Sequence, residues 1–492
     1  MPLPRWLSPL PTWNSSTRPW RPGPEPGLQQ KFSVSHKPRT GLAVAGLSLG
    51  TALNPLNSSM IAVALVVLRT DFGLDVATVT WVITSFYLSS AAGQPLMGKL
   101  ADRFGPRRMF MLGMGLVAVT CALAPFSPNF ALLCVARAVM ALGTATAYPS
   151  AVVMVGAIVR EASAGQRSKA ESSRPLGYIQ MANTSAAAVG PVIGGLLVGF
   201  VGWEALFLIN VPLALAALLI VRQAAPADAA RERGSFLALV RDSDIPGILG
   251  FVGSLLLVMM ALLDVAPGYR WWLLGAGTVI AALFVWRELG FSPPFLDLRL
   301  LGRNRPLMLV YVGFAVFNSV YYFVFFGLPQ LLQESAGYNP GVVGLLMLPL
   351  AAASVLATPW AVRAMGKFGV RRVLIAGVVL LAVAAALMGL LTGSLAIPLV
   401  LALTALMGVP FGAVSIASNQ GMFVSTRPEE RGIAAGIFQT CRYVGAITAT
   451  VLIGVFAAGG VDQASWGLMV VAMLVLSVVA FGVTLLWRER QG

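Results

Sequence analysis

The sequence predicts an all-α polytopic membrane protein with two six-helix bundles and two inserted spans, fourteen transmembrane helices in all. Its composition, the lengths of its apolar runs and the placement of its basic residues all support this fold class. Of the 492 residues, 57% are hydrophobic and only 11% are charged. Soluble domains average about 25% charged residues. The composition therefore excludes an ordinary soluble globule and also a disordered chain.

Fourteen apolar segments follow one another along the chain, each close to the roughly 20 residues that cross a bilayer. Lipid offers no partners to free backbone N–H and C=O groups, so each segment is predicted to be a helix. The predicted spans are 41–68, 79–97, 109–124, 130–158, 178–200, 205–221, 245–263, 271–286, 307–331, 342–362, 373–391, 397–421, 433–457 and 466–487.

The basic residues are strongly segregated. The chain has 34 Lys and Arg against 19 Asp and Glu, and 30 of the 34 lie in the two tails or after even-numbered spans. Only Arg69 and Arg270 follow odd-numbered spans, while Arg137 and Arg442 lie inside spans. By the positive-inside rule both termini are cytoplasmic and the protein is a multi-pass protein of the cell membrane. The net charge of +15 reflects topology, so we expect no nucleic-acid partner.

An internal repeat defines the domains. A shift of 264 residues aligns segment 95–108 with 359–372, matching Pro, Phe-Gly and Arg-Arg, and places Asn54 on Asn318. Spans 1–6 and 9–14 are thus predicted to be two copies of one unit, as in transporters that bind substrate between repeats. The predicted domains are a disordered cytoplasmic tail (1–40), an N-terminal bundle (41–222), a linker (223–244), two inserted spans (245–288), a linker (289–306), a C-terminal bundle (307–487) and a tail (488–492).

The residues available for catalysis and metal binding are few. His36, in the tail, is the single histidine, and Cys121, Cys134 and Cys441 lie at unpatterned spacing in apolar runs. We therefore expect no catalytic residues, no metal and no cofactor. A polytopic membrane enzyme is the alternative from another class, and it is disfavoured because no His, Asp or Cys cluster falls at one membrane depth.

The loop between spans 2 and 3 carries a dense charge motif. It contains Gly98, Asp102, Arg103, Gly105, Arg107 and Arg108. A carboxylate among arginines and helix N-termini can hold helix ends together, which predicts a conformational latch with Gly98 permitting close helix approach. The alternative is that these charges only set topology.

Two motifs within the N-terminal spans also have functional interpretations. Arg137 in span 4 must face the bundle or water, because a buried guanidinium costs several kcal/mol in a membrane. A structural polar clamp is its alternative. Span 5 contains Gly190, Pro191, Gly194 and Gly195. Small residues four apart let helices meet backbone to backbone, and the proline loosens the helix.

Together these motifs resemble the major facilitator superfamily, in its fourteen-span drug:proton antiporter branch, over nearly everything after residue 40. Five features carry the resemblance: the 98–108 loop, Arg137, the Gly190–Gly195 segment, the run 203–212 and Arg442-Tyr-Val-Gly445. Met140 and Glu204 depart from the branch pattern. The resemblance implies alternating access and proton-coupled export of an amphipathic compound, with Arg137 and Arg442 in coupling or substrate binding.

One departure affects coupling directly. Relatives have an aspartate in span 1 where this chain has Asn57, and a carboxamide cannot carry a proton near neutral pH. No acid lies within the predicted spans. Asp264, just after span 7, is the nearest coupling candidate, with an interfacial role before Pro267 as its alternative. Two arginines without acids favour a neutral or anionic substrate.

Polar side chains within spans are expected to line the pathway, since they are costly against lipid. Interhelical hydrogen bonding is the alternative for each of them. The candidate cavity residues are Asn54, Asn57, Tyr87, Gln94, Gln180, Asn183, Asn318, Tyr321, Tyr322, Asn419 and Gln439.

The sequence thus predicts a monomeric secondary transporter that exports a small hydrophobic molecule in exchange for protons. Its partners are the substrate, protons and the lipid bilayer. An importer or a lipid or metabolite transporter of the same fold is the alternative.

Overall fold

The structure, a computed structural model, describes residues 40–162, 169–228, 244–263, 268–291, 298–426 and 431–488. The predicted N-terminal tail up to residue 39, Asp264 and parts of both linkers lie outside the described residues.

Over these ranges the chain folds into α-helices joined by short turns, and the described residues contain no strand. The helices are α1 (Thr40–Phe72), α2 (Val76–Val79), α3 (Trp81–Phe104), α4 (Pro106–Leu123), α5 (Phe130–Ala145), α6 (Ala147–Ala162), α7 (Lys169–Phe200), α8 (Ala205–Leu208), α9 (Asn210–Ala224), α10 (Ile245–Leu262), α11 (Arg270–Gly290), α12 (Leu298–Arg303), α13 (Arg305–Glu334), α14 (Pro340–Phe368), α15 (Val370–Leu387), α16 (Ile397–Val424), α17 (Arg431–Phe456) and α18 (Gln463–Leu486).

The predicted fold class, an all-α polytopic membrane protein, is confirmed. Thirteen helical segments of the described chain are long and apolar enough to cross a membrane. The segment predicted as span 7 forms the shorter apolar helix α10, so the count of fourteen spans stays a prediction. Several helices are longer than their predicted spans, and these extensions add the carboxylates Glu288 at the end of α11 and Glu334 at the end of α13.

The internal repeat is visible in the helix boundaries. Helix α3 ends before Gly105 and α14 ends before Gly369, 264 residues later, and both glycines adopt positive φ, +100° and +83°. Residues with side chains rarely adopt such angles, so glycine ends both helices. The side chain of Arg107 donates to the Arg222 carbonyl, and Arg371 donates to the Leu485 carbonyl at the end of α18.

Helix packing follows the same repeat. In the first half α1 packs on α7 and α9, and in the second half α13 packs on α17 and α18. Two equivalent contacts join the halves, because α7 packs against α14 and α17 packs against α3. Helices α10 and α11 form a hairpin that packs mainly on itself, and their assignment as an insertion stays a prediction.

Glycines of α7 bring this helix into backbone contact with α1 in its own half and with α14 in the other half. A Cβ at Gly195 would lie 2.4 Å from the Pro340 carbonyl oxygen, and one at Gly194 would lie 2.6 Å from the Met60 carbonyl oxygen. These are backbone atoms that cannot rotate away. The Gly190–Gly195 segment therefore brings α7 against α1 and α14, which is the backbone contact that small residues four apart permit.

We expect Gly195→Ala to destabilise the protein by about 1–3 kcal/mol, because the added methyl overpacks a backbone contact. Gly199→Ala is the matched control on the same helix, since its Cβ would meet Gly341 at 3.4 Å, an ordinary contact. Thermal unfolding of the purified variants in detergent measures the difference. Equal midpoints for the two variants would contradict this packing.

Candidate functional site

A central cavity of about 500 Å³ lies between the two halves of the bundle. The bundle has two faces. We call the face with the 98–108 loop the basic face, and the face with Arg69 and Glu334 the opposite face. Each lining helix contributes residues from its midpoint or from its half nearer the basic face. The polar lining residues include Thr51, Asn54, Gln94, Thr144, Gln180, Asn183, Thr184, Asn318, Ser354, Thr358, Ser415, Asn419, Gln439, Arg442 and Tyr443.

Most of the predicted cavity residues are brought together here. The structure places seven of the eleven on the lining, together with Arg442. The seven are Asn54, Gln94, Gln180, Asn183, Asn318, Asn419 and Gln439.

Asn57 does not line the cavity, because its carboxamide is fully engaged elsewhere. Asn57 and Asn210 exchange two hydrogen bonds of 2.8 Å, and each amide also donates to a carbonyl four residues earlier in the chain. This reciprocal pair joins α1 to α9 inside the first half. Asn57 thus forms hydrogen bonds between helices. This is the role given above as the alternative to lining the pathway.

Three predicted tyrosines lie behind the cavity wall. The Tyr87 ring lies 5.7 Å from Tyr322 and 5.6 Å from Tyr443, and Tyr321 stacks on Phe411 at 3.6 Å between centroids. They support Tyr443 and Phe411, which do line the cavity. Tyr87, Tyr321 and Tyr322 do not line the cavity, because their rings pack against other aromatic rings.

The charge within the cavity comes from Arg442. Among the described lining residues it is the one charged side chain, and no Asp or Glu accompanies it. Its guanidinium carbon lies 5.5 Å from the centroid of the Tyr443 ring. The hydroxyl of Tyr443 accepts a 2.7 Å hydrogen bond from Gln94 across the two halves. Arg442 thus lies beside a tyrosine that is hydrogen-bonded to the other half.

Arg137 lies apart from the cavity. It is 2% exposed, its Nε donates to the Val82 carbonyl at 3.2 Å, and its guanidinium carbon lies 4.6 Å from the Phe86 ring centroid. No described residue accepts a hydrogen bond from its Nη2. Contact with the α3 backbone and an aromatic face makes Arg137 a link between α3 and α5.

A larger groove of about 830 Å³ lies outside the central cavity, against α14, α15 and α16. Its described lining is apolar except for Arg372, with Trp360 and Phe368 along its length. An apolar surface of this kind suits lipid contact. The smaller central cavity is the better candidate for a substrate site, because it combines convergent polar groups with aromatic ones.

The predicted latch contains a carboxylate that the sequence did not reveal. The backbone N–H groups of Arg107 and Arg108 donate 3.0 Å hydrogen bonds to the two carboxylate oxygens of Asp228. Asp228 follows α9 and lies where a Cβ on Gly105 would stand. It caps the N-terminus of α4 and holds the end of α9 there.

Of the other latch residues, Gly98 was expected to permit a close helix approach, and the roles expected for Asp102 and Arg103 stay predictions. Gly98 does not enforce a close approach, since a Cβ there would meet Pro149 at an ordinary 3.8 Å. The side chain of Asp102 lies outside the described part of the structure. Arg103 belongs to the last turn of α3.

The opposite face is sealed by contacts between the halves. Arg69 at the end of α1 forms a 2.8 Å ion pair with Glu334 at the end of α13. Glu334 also accepts a 2.8 Å hydrogen bond from the Val461 N–H. One layer deeper, Gln333 donates to the Val63 carbonyl at 3.0 Å, and α3 meets α17. The cavity therefore ends below this face.

The inserted hairpin holds a separate acidic cluster. Glu288 and Asp244 are buried together, and Arg287 pairs with both carboxylates. Burial alone would raise the pKa of Asp244, but its hydrogen bonds with Glu288, Arg287 and the Gly247 N–H hold the pKa below its usual value. This cluster joins the ends of α10 and α11 and lies off the cavity lining.

A helical bundle with a polar cavity toward one face and a seal at the other defines a membrane transporter. The Major Facilitator Superfamily profile matches residues 47–450 and 321–492. The chain is 33% identical over 460 residues to the uncharacterized MFS-type transporter YwoD of Bacillus subtilis, covering 93% of this chain and 98% of that protein. The chain belongs to the Major Facilitator Superfamily and is a transporter, not an enzyme.

Two further likenesses agree with this family. The chain is 28% identical to the tetracenomycin C resistance and export protein of Streptomyces glaucescens, over 87% of this chain and 79% of that protein. The crystal structure of the nucleoside transporter NupG matches the fold with a TM-score of 0.63 at 13% identity, over 91% of this chain and 100% of that chain. The protein is a multi-pass membrane protein, and its bacterial relatives point to the cell membrane.

We expect Asp228→Ala to speed amide hydrogen exchange at the start of α4 by about fivefold, since a lost helix cap costs about 1 kcal/mol. Exchange of the peptide containing Arg107 and Arg108, followed by mass spectrometry, measures the effect. Asp71→Ala, an exposed acid on the opposite face, is the control. Unchanged exchange in Asp228→Ala would show that this cap does not hold the loop.

Proposed function

We propose that this protein exports amphipathic small molecules from the cytoplasm in exchange for protons, by alternating access and as a monomer. The position of the cavity carries the proposal. It lies toward the basic face, and the positive-inside rule makes that face cytoplasmic. The sealed face is then extracellular. The protein stands in an inward-facing state, in which a cytoplasmic compound can enter.

The two halves are the moving parts of this proposal. Among the described residues, the side-chain bonds between the halves, such as those of Gln94, Gln333 and Arg69, lie at the middle of the bundle or nearer the sealed face. Rocking about the α7–α14 and α3–α17 contacts would open that face. Asp228 caps α4, and Arg107 and Arg371 donate to the ends of α9 and α18. These bonds would hold the cytoplasmic ends of the helices together.

Proton coupling requires a group other than Asn57. The cavity lining within the described chain has no carboxyl. Glu334 lies largely buried at the contact between the halves, where its carboxylate pairs with Arg69. Asp264 stays the candidate for carrying the proton, with Arg442 on the cavity lining and Arg137 behind it as the basic groups proposed for coupling.

Transport in proteoliposomes tests this function. We expect tetracenomycin C, the compound in the name of the Streptomyces glaucescens relative, or the aromatic probe naphthalene-1-carboxylate to move from the cytoplasmic side against its concentration gradient when the extracellular side is made acidic, with membrane potential clamped. A protonophore should abolish the accumulation. Movement indifferent to the imposed pH gradient would contradict proton coupling, and accumulation toward the cytoplasmic side would indicate an importer.

The ion pair at the sealed face gives a second test. Glu334→Gln should shift the conformational equilibrium toward the outward-open state by about two- to fivefold, the effect of losing a partly exposed ion pair. Spin labels at the exposed residues Thr70 and Gln463 report the separation by electron paramagnetic resonance.

The charge swap Arg69→Glu with Glu334→Arg should restore the short distance, and Asp71→Asn is the matched control at the same face. A distance distribution that is the same in Glu334→Gln and in the unaltered protein would show that the pair does not hold the seal.

A further inference from the structure

We propose that the central cavity selects aromatic organic anions, with the anionic group on Arg442 and the ring system against Phe438, Phe314 and Phe411. This substrate class rests on the proposed function, because it assigns the ligand of the same cavity. It narrows the choice between neutral and anionic compounds that the sequence left open.

The first argument is charge balance. Arg442 brings a permanent positive charge to the middle of a membrane protein, and within the described lining no carboxylate compensates it. The phenol of the neighbouring Tyr443 is neutral near pH 7. A guanidinium removed from bulk water is costly unless it is paired. A substrate anion would supply that missing partner, whereas a cation would add repulsion.

The second argument is the free hydrogen-bonding capacity of the site. The Nε of Arg442 is buried and makes no hydrogen bond to any described residue. A guanidinium offers its donors in a planar fork that matches a carboxylate. The buried carboxamide oxygens Asn183 Oδ1 and Asn318 Oδ1 likewise have no described partner. These two acceptors suit hydroxyl or N–H groups elsewhere on the substrate.

The third argument is the aromatic wall. Phe314 and Phe438 stack at 3.8 Å with planes 11° apart, and Phe411 stacks on Tyr321 at 3.6 Å. All three phenylalanines line the cavity. Rigid aromatic faces favour offset contact with planar rings. A cavity of about 500 Å³ lies within the usual range for small-molecule sites and holds a substrate of two to four rings.

A matched set of probes separates charge from shape. Isothermal titration of the full-length protein in nanodiscs would compare naphthalene-1-carboxylate, naphthalene-1-carboxamide, 1-naphthylmethylamine and octanoate. We expect the carboxylate to bind about tenfold or more tightly than the amide, as hydrogen bonds to a charged group allow. The amine should bind most weakly of the naphthalene compounds, and octanoate should bind more weakly than naphthalene-1-carboxylate.

Variants of Arg442 assign the preference to this residue. Arg442→Gln should reduce the carboxylate-to-amide ratio to about one, and Arg442→Lys should restore part of it, because a point charge replaces the fork. Arg363→Gln, which removes an exposed charge off the cavity lining, is the control and should keep the ratio. Binding of the amide to Arg442→Gln shows that the variant is folded.

Three results would overturn the proposal: tighter binding of the amine than of the carboxylate, an unchanged ratio in Arg442→Gln, or no binding of any naphthalene probe. The binding preference is independent of proton coupling. If the preference for the carboxylate depends on Arg442 but transport does not respond to the pH gradient, only the proposed proton coupling is wrong. Proton-driven transport without the preference would remove only the anionic substrate class.

Discussion

The positive charge of Arg442 is the constraint on which the account of the site depends. A helical bundle in lipid can bury many neutral polar groups by pairing them, as the Asn57–Asn210 pair shows. A guanidinium without a carboxylate is different, because neutral partners reduce its desolvation cost without balancing its charge. The described cavity lining supplies carboxamides, hydroxyls and aromatic rings, but no acid. We propose that a bound substrate supplies the counter-charge that the described lining lacks.

The cavity opens toward the basic face because the close contacts between the halves, in the part of the chain that the structure describes, lie at the middle of the bundle or near the opposite face. Glycines of α7 allow backbone contact with α1 and α14, and the Arg69–Glu334 pair adds a charged contact at the opposite face. Neither contact fills the space near the basic face. A helix pair packed through glycine can pivot without unpacking side chains, which suits a contact that serves as a hinge. The charge of Arg442 and the glycine packing of α7 thus lie at different levels of the same bundle.

Much of the fold followed from the sequence, because hydropathy, basic loops and an internal repeat are long-range patterns. The 264-residue shift found at Phe104-Gly105 and Phe368-Gly369 reappears as equivalent helix ends. The site was predicted less completely. Polar type and span membership located Asn54, Gln94 and Arg442, but rotation about the helix axis decides whether a residue faces the cavity or another helix. The sequence did not predict a role for Asp228 or Glu334, because their partners lie more than a hundred residues away in the chain.

The most direct test of the central claim is a structure of the full-length protein in nanodiscs with naphthalene-1-carboxylate, determined by electron cryomicroscopy. The account predicts ligand density in the central cavity, with the carboxylate within hydrogen-bond distance of the Arg442 guanidinium and the rings against Phe438. Density confined to the apolar groove beside Trp360 would contradict it. An Arg442 guanidinium paired with a carboxylate of the protein itself would contradict it equally, because the cavity would then carry no unbalanced charge.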